Sequence, residues 1–145
     1  MSKRAQRYGQ VKASKGPIPD GIAVVGLDIG SQTHVARFWA APGEREKARS
    51  FPNTAAGVAT LLAWLDERTG GDRREVVVGF EPTGSYWQGF VGWLVAAGVS
   101  VRMIAPLHTK KYKELFDNSP NKSDPKDAGV IAELTKRGHG LLLRL

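Results

Sequence analysis

Four carboxylates stand where an acid is unusual or has a second acid close by. Asp28 interrupts an apolar, β-branched run at residues 24–30, and Glu81 directly follows a second run of this kind. Asp124 and Asp127 are three residues apart, which places both on one face of a helix. A carboxylate in a buried strand is costly unless a partner binds it. The sequence therefore predicts a shared partner for these acids.

A divalent metal ion is the partner that best suits four acids. Magnesium takes oxygen ligands, and two such ions about 4 Å apart can activate and clamp both oxygens of an in-line phosphoryl transfer. We therefore expect Asp28, Glu81, Asp124 and Asp127 to act as catalytic residues that bind Mg²⁺, with Mn²⁺ as an alternative.

Each acid also has a simpler explanation. Asp124 and Asp127 flank Pro125 in the pattern of a capping box, with the proline at the first helical position. Glu81 is in reach of the start of the next helix, and Asp28 is in reach of the turn that follows it. Capping does not, however, require an acid near the end of both of two adjacent buried strands, where like charges are expensive without cations. The four acids together are therefore more specific evidence for a metal site than any one of them alone.

The hydrophobic pattern predicts an α/β fold that brings the acids together. Strands are predicted at 24–29, 33–39, 47–51, 75–80 and 99–104, and helices at 54–69, at 85–97 and from the two late aspartates onward. The alternation of strand and helix demands parallel pairing through right-handed crossovers, so strands 24–29, 75–80 and 99–104 are expected to be neighbours. The result is a mixed five-stranded sheet flanked by helices, with Asp28 beside Glu81.

Composition limits the possible classes of protein. The 145 residues fit one domain, and the absence of cysteine excludes disulfides and thiolate metal sites. No apolar run is long enough to cross a bilayer, so we expect no membrane partner and a cytoplasmic location. The net charge of +7 favours a polyanionic partner such as nucleic acid.

Basic side chains are concentrated in two places. Residues 1–21 lack periodicity and are predicted to form a disordered basic arm, either a solvated tail or a phosphate contact. The second place follows the last predicted strand, at the edge where sites form in parallel sheets. The lysines expected to contact nucleic acid there and at the start of the last helix are Lys110, Lys111, Lys113, Lys122 and Lys126.

Three motifs in order resemble a known family. Residues 27–31 (Leu-Asp-Ile-Gly-Ser), 81–86 (Glu-Pro-Thr-Gly-Ser-Tyr) and 121–128 (Asn-Lys-Ser-Asp-Pro-Lys-Asp-Ala) closely resemble the DEDD transposases of bacterial insertion sequences, whose N-terminal domain is similar to the resolvase RuvC. The resemblance implies a ribonuclease-H-like catalytic domain over residues 22–145. It also implies that the four acids, each in its matching motif, form the catalytic site.

The same resemblance implies a reaction and partners. Members of the family carry out magnesium-dependent, site-specific recombination of DNA, guided by a structured bridge RNA, in the bacterial cytoplasm. A serine in a separate C-terminal domain acts there as nucleophile, and the full-length protein is expected to be a homo-oligomer. That serine domain is expected to be absent here because the chain stops at Leu145.

Two alternatives remain open from the sequence. The Asp-x-Gly-Ser turn at Asp28 also resembles the first phosphate hairpin of actin-like ATPases and sugar kinases, which predicts a nucleotide-binding half. The other alternative is a non-catalytic nucleic-acid-binding domain whose acids only cap helices.

Overall fold

The computed structural model describes residues 9–13, 16–44, 46–116 and 124–144, with side chains described for 16–44, 46–114 and 127–143. The strands are β1 Gly9–Ala13, β2 Ala23–Asp28, β3 Thr33–Phe38, β4 Arg49–Pro52, β5 Val76–Phe80, β6 Ser100–Met103 and β7 Leu141–Arg144. The helices are α1 Ala55–Thr69, α2 Trp87–Ala96, α3 Pro106–Phe116 and α4 Asp124–Lys136, with a short 3₁₀ helix at Arg73–Glu75.

The strands form one mixed sheet in the order β1-β7-β6-β5-β2-β3-β4. Strands β2, β5 and β6 are parallel neighbours, and β3 and β4 continue from β2 as an antiparallel meander. The predicted mixed α/β sheet flanked by helices is therefore confirmed. The predicted number of strands is wrong, because β1 and β7 extend the five predicted strands to a seven-stranded sheet.

The two additional strands form the edge beyond β6. Strand β7 pairs antiparallel with β6, and Leu143 is buried against the core. Strand β1 then pairs with β7, so the expected disordered arm over residues 1–21 is wrong for residues 9–13. Ile18 is also buried, and its amide donates to the carbonyl of Lys136 at 2.9 Å. The physical reason is that β7 presents unpaired backbone groups, which a further strand satisfies.

Helices α1 and α2 cover one face of the sheet with a close-packed apolar core. The helix predicted at 54–69 is confirmed, and its Val58, Leu61 and Leu65 are all buried. The Thr54 hydroxyl caps this helix by accepting from the amide of Gly57 at 3.0 Å, and Gly70 ends it with a φ of 71°.

Helix α4 covers the other face and lies directly on the strand backbones. A Cβ added at Gly26 of β2 would lie 2.0 Å from the Ala128 carbonyl oxygen, and one added at Gly79 of β5 would lie 1.8 Å from Thr135 Oγ1. Neither strand therefore tolerates a side chain at the crossing without a shift of the helix. The two glycines set how closely α4 approaches the sheet.

Helix α3 is an element that the hydrophobic pattern does not predict. Its 11 residues are rich in lysine and include few apolar side chains. Pro106 occupies the first helical position, where its missing N–H costs nothing. No helix in the described parts of the chain is long and apolar enough to cross a membrane.

Candidate functional site

Strands β2 and β5 bring two of the predicted acids to the same edge and the same face of the sheet. Leu27 pairs with Phe80 in parallel register, so Asp28 and Glu81 follow at matching positions. Because side chains alternate along a strand, both acids share the face of Gly26 and Gly79. That face is the one covered by α4.

Helix α3 contacts Glu81, one of these two carboxylates. Glu81 is half-buried, and its Oε2 accepts a hydrogen bond from the hydroxyl of Thr109. Thr109 is buried, with its hydroxyl also 2.8 Å from the carbonyl oxygen of Pro106. The simpler alternative, in which Glu81 caps the next helix, is wrong, because the N-cap of α2 is Tyr86, without a side-chain hydrogen bond.

Helix α4 carries the aspartate pair in its first turn, as predicted. Asp127 is next to Ala128, whose backbone contacts Gly26 of β2. Gly26 is two positions before Asp28 and lies on the same face of the sheet. Its Oδ1 forms an ion pair with Nζ of Lys113 on α3. Asp124 is the first residue of α4, and its side chain lies outside the described residues.

The chemistry of this donor set fits a hard divalent cation. The donors are carboxylate oxygens, which Mg²⁺ and Mn²⁺ prefer. A cation, the ammonium group of Lys113, already contacts one of the predicted ligands, Asp127. Among the side chains that the structure describes, no three His, Asp or Glu residues form a group that could hold a metal ion.

The predicted phosphate-contacting lysines have different positions. Lys110 and Lys111 are exposed on α3, whereas Lys113 is only 25% exposed and contacts Asp127. Lys122, and the side chain of Lys126, lie outside the described residues.

His34 supports the turn that follows Asp28, a contact that sequence reasoning did not connect with the site. The amide of Gly30 donates to His34 Nδ1 at 3.1 Å, and the ring packs edge-on against Phe90 with centroids 4.4 Å apart. His34 is fully buried, and burial lowers its pKa, while Asn53 opposes this shift. The signal available in the sequence was the alternation of side chains along β3, which places His34 on an inward face.

Comparison with solved structures defines the fold. RuvC of T. thermophilus in complex with a Holliday junction substrate is similar at 19% identity and a TM-score of 0.54, over 84% of this chain and 99% of RuvC. A second Thermus thermophilus RuvC structure is similar at 20% identity and a TM-score of 0.53, over 84% of this chain and 100% of RuvC. The fold is therefore RuvC-like, of the ribonuclease-H type.

Comparison with family models defines the family. The model described as transposase, for the DEDD type of IS110 elements, matches residues 25–144. The chain belongs to this transposase family, which confirms the resemblance seen in the three motifs and does not favour the actin-like alternative. No curated protein matches the chain.

Proposed function

We propose that this chain is the acidic catalytic domain of a DNA transposase, which performs metal-dependent phosphoryl transfer on DNA. The observation that supports this proposal is the convergence of Asp28 and Glu81 on the sheet face that α4 covers with Asp127 in its first turn. The family match and the RuvC-like fold are consistent with this reaction class.

In this proposal the four acids Asp28, Glu81, Asp124 and Asp127 hold Mg²⁺ or Mn²⁺. The bound metal supplies charge neutralisation at the scissile phosphate and activation of the attacking group. The protein supplies the orientation of the carboxylates, because β2, β5 and α4 are fixed to each other by backbone packing. Lys110 and Lys111 contact the phosphates of the DNA from the exposed side of α3.

The proposal extends to the partners of the full-length protein. A structured guide RNA and DNA are the polyanions that the net charge of +7 attracts. A serine of a further domain acts with the acidic site, the assembly is a homo-oligomer, and the reaction takes place in the bacterial cytoplasm. Lys122 and Lys126 add phosphate contacts near the start of α4.

Calorimetric titration of Mn²⁺ into the 145-residue chain tests the metal site. We expect binding by the wild type and its loss in Asp28→Asn and Asp127→Asn, because each change removes a charged oxygen ligand. Glu67→Gln, an equivalent loss of charge at an exposed position on α1, is the matched control and retains wild-type affinity.

Two results would contradict the proposal. Equal Mn²⁺ affinity in the wild type and both aspartate variants removes the acids from metal binding. If no metal binds, while binding of branched DNA weakens steeply with salt, the domain binds nucleic acid through its basic surface and the acids have only a structural role.

A further inference from the structure

Two side chains on one face of α3 each contact a different predicted metal ligand. Thr109 and Lys113 are four residues apart, which places them one above the other on the helix. Thr109 contacts Glu81, and Lys113 contacts Asp127. We propose that Thr109 and Lys113 are positioning residues with opposite effects on metal affinity. Thr109 holds Glu81 in the orientation that binds the metal, and Lys113 stays paired with Asp127 until the metal replaces the lysine. This inference rests on the function proposed above.

Thr109 is suited to fix the orientation of Glu81. It is 3% exposed, so water does not compete for its hydroxyl. The hydroxyl is 2.8 Å from the Pro106 carbonyl oxygen at the start of the same helix and is also bonded to Glu81 Oε2. A buried hydroxyl that donates to Glu81 Oε2 favours one orientation of the carboxylate before any metal arrives. The conformational entropy of Glu81 is then lost on folding and not on metal binding.

Lys113 is suited to compete with a metal ion. Its ammonium group contacts Asp127 Oδ1, and both side chains are 25% exposed, so the pair is partly shielded from solvent. A divalent cation that binds the same carboxylate is repelled by the ammonium group, because two positive charges are then adjacent. Metal binding therefore requires Lys113 to leave Asp127. Once released, the lysine remains near the site and is available to a phosphate of the substrate.

Titration of Mn²⁺ into variants of the 145-residue chain distinguishes the two roles by sign. Thr109→Val is expected to weaken Mn²⁺ binding about tenfold, since a hydrogen bond to a charged group is lost, and Thr109→Ser is expected to retain it. Lys113→Met is expected to tighten binding about fivefold or more because the competing charge is gone, while Lys113→Arg keeps that charge and stays near wild type. Thr60→Val and Lys47→Met, both at exposed positions, are the matched controls.

A measurement without metal tests the ion pair itself. Thermal unfolding of Lys113→Met, Asp127→Asn and the double variant forms a cycle, and non-additive shifts in Tm are expected because the two side chains are in contact. Far-UV circular dichroism confirms that each variant is folded before titration. Additive shifts in Tm would overturn the assignment of Lys113 to Asp127.

The outcomes separate this inference from the proposed function. If the wild type binds Mn²⁺ but Lys113→Met binds with equal or lower affinity, the competing role of Lys113 is overturned and the metal site stands. If Thr109→Val matches the wild type, the positioning role of Thr109 is overturned. If the wild type binds no Mn²⁺, the proposed function and this inference both fail.

Discussion

The two faces of the central strands differ in what their side chains do. Towards α1 and α2, strands β2 and β5 present only apolar side chains, of which Val25, Leu27, Val76, Val78 and Phe80 are fully buried. Towards α4, the same strands present the two glycines of the helix crossing and, at the C-terminal edge, Asp28 and Glu81. Alternate positions of the same strands therefore form an entirely apolar core face and an opposite face whose C-terminal edge carries acids.

This difference shows how a small domain can place charged groups next to its core. On the α4 side, contact with the sheet is made by backbone at Gly26 and Gly79, which brings the helix and its acids close. Arg102, which pairs with Gly79, shares this face, and burial lowers its pKa. The largest apolar cluster lies on the α1 and α2 side, whereas the α4 side combines smaller apolar clusters with the acids.

The largest effect on stability is expected from the apolar face. Leu65→Ala removes a fully buried side chain of α1 and should lower the free energy of unfolding by about 2–5 kcal/mol, measured by urea denaturation. Mn²⁺ affinity of the folded fraction should stay at the wild-type value. The control Leu107→Ala, at a leucine that is 56% exposed, should change stability by no more than about 0.5 kcal/mol. Equal losses in the two variants would contradict the assignment of Leu65 to the packed core.

A substitution on the α4 face is expected to cost less stability but to weaken metal binding. Gly26→Ala places a Cβ 2.0 Å from the Ala128 carbonyl oxygen, so α4 must shift, at a cost of about 1–3 kcal/mol. The shift moves Asp127 relative to Asp28 and should weaken Mn²⁺ binding in calorimetry. Gly89→Ala, where nothing lies within 4 Å of the added Cβ, is the control and should leave Mn²⁺ binding unchanged. Wild-type affinity in Gly26→Ala would show that the helix position does not matter for the site.

The smallest effect is expected at His34 and only towards acid pH. Burial lowers its pKa below the ordinary value of 6.5, so the unfolded chain binds a proton more readily than the folded chain. Its contribution to stability is therefore complete above pH 6.5 and is lost as pH falls from there through the lower pKa of the folded state. Unfolding by urea at a series of pH values should show a shallower acid decline in His34→Gln than in wild type. Identical slopes would contradict this assignment.

Much of the fold was predictable because it follows from local patterns. The apolar runs that end on Asp28 and Glu81 specified buried strands, and the intervening helices demanded parallel pairing. Strand β7 was missed although residues 141–143 form a short apolar run after two glycines. Helix α3 is not apparent from the sequence because it contains few apolar residues, and Pro106 is as compatible with the end of a strand as with the first residue of a helix.

The sequence by itself determined the acidic motifs, their order, the parallel strands that carry Asp28 and Glu81, and the resemblance to the transposase family. Only the tertiary structure decided which side chains these acids meet. Thr109 is 28 residues from Glu81, and Lys113 is on a different helix from Asp127. Periodicity reports on neighbours within one element, whereas contacts of this kind depend on how α3 and α4 pack on the sheet. The acids were readable in the sequence, whereas helix α3, whose Thr109 and Lys113 contact two of them, was not.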